Sequence, residues 1–345
     1  MNIILLILLG FAALGLLDKM MGNKLGLVAS FDRGIITMGD FMLSISGFYC
    51  IAVAFLNQHA HLFENGQMWI ASVLAPDLGG YSIVESLRSS DSLILFCGVL
   101  LSSTLGCLIS FQLPIFLNEL DADDLTDYLR GIMYGIAGLL PILIVCGYLL
   151  KIEHFFFLFL PVLGICVLLI VLFFVSFKTL IFLLTLFSKC VQCIGYIFFF
   201  LVCLTFFFHC DFTTMDLIHD ALEIVFQMSI IVCGSLVLCE IVMRKFSKQI
   251  GSIGNRLGLD RYSVMGLILS LGTSIAMLPL FSKMNRKGKI LNAAFSLSGA
   301  FVFGGQLGFI AKVNAPSVTW FIVVKLLAGI LAFVLACALE SKRKV

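Results

Sequence analysis

The fold class this sequence predicts is all-α, a polytopic integral membrane protein, and three observations predict it. Only 12% of the 345 residues are charged and 61% are hydrophobic, where an average soluble domain carries about 25% charged residues. Mean hydropathy is +1.13. Apolar stretches long enough to cross a bilayer, about 20 residues each, recur from one end of the chain to the other. There are too few polar residues to clothe a soluble surface, and a net charge of +2 gives no electrostatic case for nucleic acid.

Taken in order, full spans are expected near 3–20, 35–56, 92–117, 128–150, 154–176, 190–208, 221–243, 289–311 and 316–339, nine transmembrane helices in a single membrane domain over 1–345. Residues 1–22 lack a basic leading region and a small-residue cleavage site, so they read as a first membrane helix rather than a removable signal. Stretch 178–189 reads as an interfacial helix leading into the next span.

Two further segments are apolar at both ends and polar or glycine-rich in the middle. Residues 68–88 contain Ala75-Pro-Asp-Leu-Gly-Gly-Tyr81, and residues 263–283 contain Leu271-Gly-Thr-Ser-Ile-Ala-Met277 followed by Pro279. Broken helix at membrane depth is tolerated only where it faces protein or a wet cavity. Basic residues orient the chain, because Lys and Arg mark the cytoplasmic side. Arg244, Lys245, Lys248, Arg256 and Arg261 precede the second broken segment, and Lys283, Arg286, Lys287 and Lys289 follow it. Both flanks want the same side, so a re-entrant hairpin is expected there. The C-terminus, with Lys342, Arg343 and Lys344, is then cytoplasmic and the N-terminus outside. Loop 209–220, which has no Lys or Arg, also falls outside. Residues 77–117 and 273–313 share an order: a polar break, about a dozen residues, then a span rich in Gly and Ser. Paired interrupted helices in two halves point to an inverted repeat with a midplane site. The expected halves are 31–117, broken near 77–81, and 221–313, broken near 272–279.

The twelve cysteines do not read as a disulfide or metal framework, since most lie inside apolar runs, where cysteine is a small hydrophobe. Cys190-Val-Gln-Cys193 is a single pair without a second pair or a nearby histidine. His209, Asp211, Asp216, His219 and Asp220 share one loop but lack regular ligand spacing. No metal and no cofactor is expected. A membrane-embedded enzyme would need His, Asp and Glu clustered at one depth within the spans, whereas the histidines sit at span ends or in loops. No phosphate-binding loop is visible.

The chain resembles the ethanolamine-utilisation permease family, EutH, in two blocks that cover most of its length. The first begins with Phe31-Asp-Arg-Gly34 and Met38-Gly39 and runs through Asp77-Leu-Gly-Gly-Tyr81 to Gly98, Gly106 and Pro114. The second takes in Ala221-Leu-Glu223, Gly234, Ile275-Ala-Met277, Met284-Asn-Arg-Lys-Gly288-Lys-Ile-Leu-Asn292, Ala293 to Phe295, Gly304 and Leu307-Gly-Phe309. The order Arg-x-Gly-Lys-aliphatic-x-Asn-x-Ala-Phe is its most specific piece. The family pattern has a pair of asparagines at Thr273 and Ser274, proline at Ala276, and an acid and a histidine at Gly305 and Gln306. These departures fall on polar positions and bear on substrate more than on fold.

The resemblance implies import of ethanolamine into bacterial cells across the cytoplasmic membrane. A primary alkyl amine titrates near ~10.4, so at neutral or acidic pH nearly all of it is an ammonium ion that cannot cross lipid unaided. Read residue by residue, Asp77 leads as a substrate-binding candidate, because a carboxylate at membrane depth is expensive and usually functional. Beside Gly79 and Gly80 it could pair with an ammonium while exposed backbone binds the hydroxyl. The plainer reading is a half-helix cap. Tyr81 could offer its ring to a cation. Glu223 reads as a cation attractant, a proton relay or an interfacial carboxylate. Thr273 and Ser274 could bind substrate or satisfy freed carbonyls. Asn292 and Gln306 could line a pore or hold helices together. The expected partners are a small amine and the lipid bilayer, with a homo-oligomer left open. Two competing readings are a permease for another small polar metabolite and a polytopic assembly protein that transports nothing. The last would have no need of Asp77 or of two broken helices.

Overall fold

The computed structural model describes residues 3–59, 66, 79–87, 89–246, 249, 252, 254 and 256–342, and among these all regular structure is helical. The chain is a polytopic membrane protein, with six helices among the described residues long and apolar enough to cross a bilayer. In order come α1 (Ile3–Met20), α2 (Val28–His59), the short α3 (Gly79–Ser86) and α4 (Asp91–Leu117). Then follow α5 (Ala122–Leu149), α6 (Phe155–Val175), α7 (Phe177–Phe208) and α8 (Met215–Lys245). The remainder is α9 (Arg261–Ser270), α10 (Arg286–Gly299), α11 (Gly305–Val313) and α12 (Val318–Lys342). The chain divides into two compact units. One holds Met1–Asp40, Asp121–Gly135 and Ile224–Val345, and the other holds Phe41–Leu120 and Ile136–Glu223.

In lipid, apolar surface gains nothing by leaving one apolar medium for another, so helices associate through small residues that let backbones approach. The first unit is built this way. A Cβ on Gly234 of α8 would lie 2.0 Å from the Leu8 carbonyl oxygen of α1, and one on Gly34 of α2 would lie 2.7 Å from Cys233 Cα. Gly131 and Gly135 of α5 sit under the Ile290 and Ala294 carbonyls of α10 in the same manner. Buried Asp18 closes the turn between α1 and α2 by accepting the Leu25 and Leu27 amides at 2.6 and 2.8 Å. Arg244 locks that turn from α8, donating to the Leu25 and Gly26 carbonyls while pairing with Glu240 at 2.7 Å. The pairing of Glu240 with Arg244 one turn on is the one their spacing predicts.

In the second unit α4 is the interior helix. Over Ile94–Gly106 and Leu108–Gln112 it winds in wider π turns. Thr104 and Ser110 donate their hydroxyls to the carbonyls of Leu100 and Gly106, at 2.7 and 2.6 Å, local bonds that compete with regular helical pairing. Around Cys50 and Ala221, Thr213 donates to the Cys50 carbonyl at 2.9 Å and ties the loop before α8 to α2.

Two expectations change in detail. Residues 178–189 are not a separate interfacial helix, since α7 runs unbroken from Phe177 to Phe208. The span expected over 289–311 is not continuous. It unwinds between Gly299 and Gly305, with Phe301 in the left-handed region at φ 61°. The reason lies in the segment it meets, described next.

Candidate functional site

Segment 261–284 leaves and returns to the same place. Asp260 caps α9 by accepting the Ser263 amide at 2.8 Å, and its other carboxylate oxygen accepts the Asn285 amide. Asn285 in turn donates to the Gly258 carbonyl at 3.0 Å and caps α10 through the Gly288 amide at 2.7 Å. A single aspartate thus clasps both ends of the excursion. At its far end α9 stops at Ser270, the chain is unwound over 271–273, and one 3-10 turn, Ser274–Met277, leads into Leu278–Phe281 with Pro279 in its first turn. Glycine at 272 and proline at 279 make that break readable from the sequence alone.

The second break crosses the first. Phe301 and Phe303 donate their amides to the Ser270 and Leu271 carbonyls at 3.0 and 2.9 Å. Carbonyls freed at the end of α9 are thereby paired with amides freed at the end of α10, which is how irregular backbone survives away from water. The approach is so close that a Cβ on Gly304 would lie 1.8 Å from the Gly272 carbonyl oxygen. Only glycine fits at 304.

Polar side chains gather on this crossing. Thr273 and Ser274 are 1% and 0% exposed, and their hydroxyls have no hydrogen-bond partner among the described residues. A buried hydroxyl left that way costs about 1–3 kcal/mol, which suits a position kept for a polar ligand. Gln306, in the first turn of α11, accepts from Lys325 of α12 at 2.8 Å, and both are buried. Lys325 was missed in reading the sequence. Its signal is plain in retrospect, since it is the lone charged residue between Val318 and Ala338.

Asn292 lies elsewhere in the same unit. Its amide donates to the Ser263 carbonyl of α9 and, within α10, to the Gly288 carbonyl, at 2.9 Å each, so that one bond ties α10 to α9 near the clasp. Asp124 and Asp127 of α5 pair with Lys289 and Arg286 of α10, so the acidic start of one helix and the basic start of the other share an end.

Of the candidates in the other unit, Asp77 lies outside the described residues. Gly79 and Gly80 open α3, and Gly80 is buried. Tyr81 is 2% exposed, lies against Gly98 of α4, and donates its hydroxyl to Glu85 at 3.2 Å. Glu223 is exposed on α8. Cys190 and Cys193 are both exposed and unbridged. Among the described residues no three His, Cys, Asp or Glu side chains gather closely enough to hold a metal ion.

The profile of the ethanolamine utilisation protein EutH family matches residues 1–339, both units and every candidate position included. The chain belongs to the EutH family. It is 28% identical over 348 residues to a probable ethanolamine permease EutH of Listeria monocytogenes, covering 96% of this chain and 92% of that protein. A probable ethanolamine permease EutH of Escherichia coli is 25% identical over 349 residues, covering 90% and 85%. An uncharacterized Bacillus subtilis protein, YxeR, is 27% identical over 341 residues, covering 95% and 92%. No solved structure matches. The relatives named for a function are called probable ethanolamine permeases.

Proposed function

We propose that this protein is a permease that carries ethanolamine, in its protonated form, into bacterial cells across the cytoplasmic membrane. The observation that carries the reading is the crossing of two interrupted helices at 270–274 and 299–305, with the Thr273 and Ser274 hydroxyls buried on it. Discontinuous helices of this kind are where transporters place substrate and ion sites, and family membership supplies the substrate class. The clasp at Asp260 supports segment 261–284 as a re-entrant hairpin from the cytoplasmic face. The meeting of Arg286 and Lys289 with Asp127 and Asp124 supports a shared cytoplasmic end. With that face inside, the C-terminus is cytoplasmic and the N-terminus outside. We take 31–117 and 221–313 as the two halves of an inverted repeat.

The residues divide by chemistry. The carboxylate of Asp77, next to Gly79, Gly80 and Tyr81, is assigned to the ammonium, with Glu223 drawing cations from outside. Thr273 and Ser274 are assigned to hydrogen bonding with a polar ligand. Gln306 already faces a cation in Lys325, so a second ammonium is not assigned to it. Asn292 is assigned to holding α9 and α10 together. A second reading, a permease for another small polar metabolite, draws on the departures at Thr273, Ser274, Ala276, Gly305 and Gln306 that the family resemblance implies.

Uptake of labelled ethanolamine by purified protein in liposomes tests this, at acidic and alkaline external pH. Below the amine's titration the neutral, freely diffusing fraction falls about tenfold per pH unit. Protein-dependent uptake is therefore expected to stand out most at acidic pH, and Asp77→Asn is expected to abolish it. Folded protein with no uptake above empty liposomes sinks the ethanolamine reading. An active Asp77→Asn variant moves the ammonium site elsewhere.

A further inference from the structure

Lys325 has no role in the import of an amine as described so far. It is 1% exposed about two turns into α12, and an ammonium inside a membrane span is costly enough to mark a substrate or ion path or a counter-ion. Its nitrogen donates to Gln306 Oε1 at 2.8 Å and stands 5.3 Å from the centre of the Phe321 ring, one turn earlier on the same helix. That ring contact is within cation–π range.

Its place along α12 is informative. Gly329, four residues on and on the same face, is where α12 touches the end of α10. A Cβ there would lie 3.0 Å from Gly299 Cα. Gly329 is therefore level with the start of the unwound 300–304 stretch, and Lys325, at Gln306, is level with its end. The stretch they bracket is one arm of the crossing. The crossing gathers the C-terminal ends of α9 and α10, each carrying partial negative charge on its last carbonyls. In transporters with broken helices, unwound carbonyls and half-helix C-termini are where coupling cations bind. A primary ammonium and a small metal cation carry the same charge and favour the same carbonyl and amide oxygens.

We propose that Lys325 is a tethered coupling cation. Its ammonium supplies, within the chain, the charge that a bound sodium ion would otherwise bring to the crossing, and transport runs without a free metal cation. This rests on the permease reading above and deepens it.

The test uses the full-length protein in liposomes with labelled ethanolamine, in sodium, lithium, potassium and N-methylglucamine media of equal ionic strength. Wild type is compared with Lys325→Ala and Lys325→Arg, each verified as folded by size-exclusion profile and thermal unfolding. Wild-type rates are expected to agree across all four media, and Lys325→Arg is expected to keep that independence. In N-methylglucamine the Lys325→Ala rate is expected to fall roughly tenfold or more and to recover severalfold in sodium or lithium. A merely structural lysine would not create a cation requirement. Wild-type uptake that needs sodium overturns the inference. So does a folded Lys325→Ala variant that keeps the wild-type rate in N-methylglucamine, or one that stays inactive in every medium. All three results leave the permease reading standing. Wild-type liposomes that take up no ethanolamine bring down that reading and this inference together.

Discussion

Helices α6 and α7 on one side and α10 on the other use their apolar residues in opposite ways. In α6 and α7 only 17% and 18% of the most apolar stretch is buried. Their large side chains point outward, with Phe157 at 78%, Phe174 at 67% and Phe208 at 73% exposure. In α10 every residue from Ile290 to Gly299 is buried, and glycine and alanine do the packing. Gly131, Gly135 and Gly329 bring neighbouring backbones against it. The difference teaches that hydropathy in a membrane chain says where lipid is tolerated, while residue size says where another helix sits. Among the described residues the outward-facing pair has one buried polar side chain, Thr205, whereas the closely packed region holds Thr273, Ser274, Gln306 and Lys325 around two breaks in its backbone.

The sharpest way to break the comparison is to put volume where the backbones cross. Gly304→Val would drive a side chain into the Gly272 carbonyl, and the loss is expected to reach about 4 kcal/mol or more, among the largest for one substitution. Thermal unfolding in detergent and the yield of monodisperse protein check it. A variant of near wild-type stability would mean the two breaks do not meet. Next comes Asn292→Ala, which removes the bond from α10 to the Ser263 carbonyl of α9 and the bond within α10 to the Gly288 carbonyl and is expected to cost about 1–3 kcal/mol. If Asn292 serves only to hold the helices together, the uptake rate of folded protein stays near that of wild type; a lost rate at retained stability would return it to the pore. Smallest are Phe157→Leu and Gly164→Ala, both on α6. A Cβ on Gly164 meets nothing within 4 Å. Each is expected to shift stability by no more than about 0.5 kcal/mol, and a larger loss in the same unfolding assay would show that this face is covered rather than open to lipid.

Much of this was readable from the residues. The break at 271–273 announces itself through Gly272, Thr273, Ser274 and Pro279, residues that interrupt an apolar run by their own chemistry. The break at 300–304 does not. Phe301-Val-Phe303 reads as ordinary span, and the glycines around it read equally well as packing positions. What unwinds it is the need of its amides for the Ser270 and Leu271 carbonyls, a pairing about thirty residues apart that no local pattern announces. Lys325 escaped notice for a related reason. Lysines in clusters mark the cytoplasmic side, and one alone in a long span carries no such message until Gln306 is found beside it.

The sequence by itself determined that this chain lives in a membrane, that its regular structure is helical, and which family it belongs to, because composition, span length and motif order are properties of residues taken one after another. Only the tertiary structure decided where α10 ends, which glycines are obligatory, that Asn292 is already engaged by backbone, and that a buried lysine stands at the second break. Those depend on which freed carbonyl meets which freed amide. In lipid there is no water to satisfy a group left over, so that choice is made only when the helices come together.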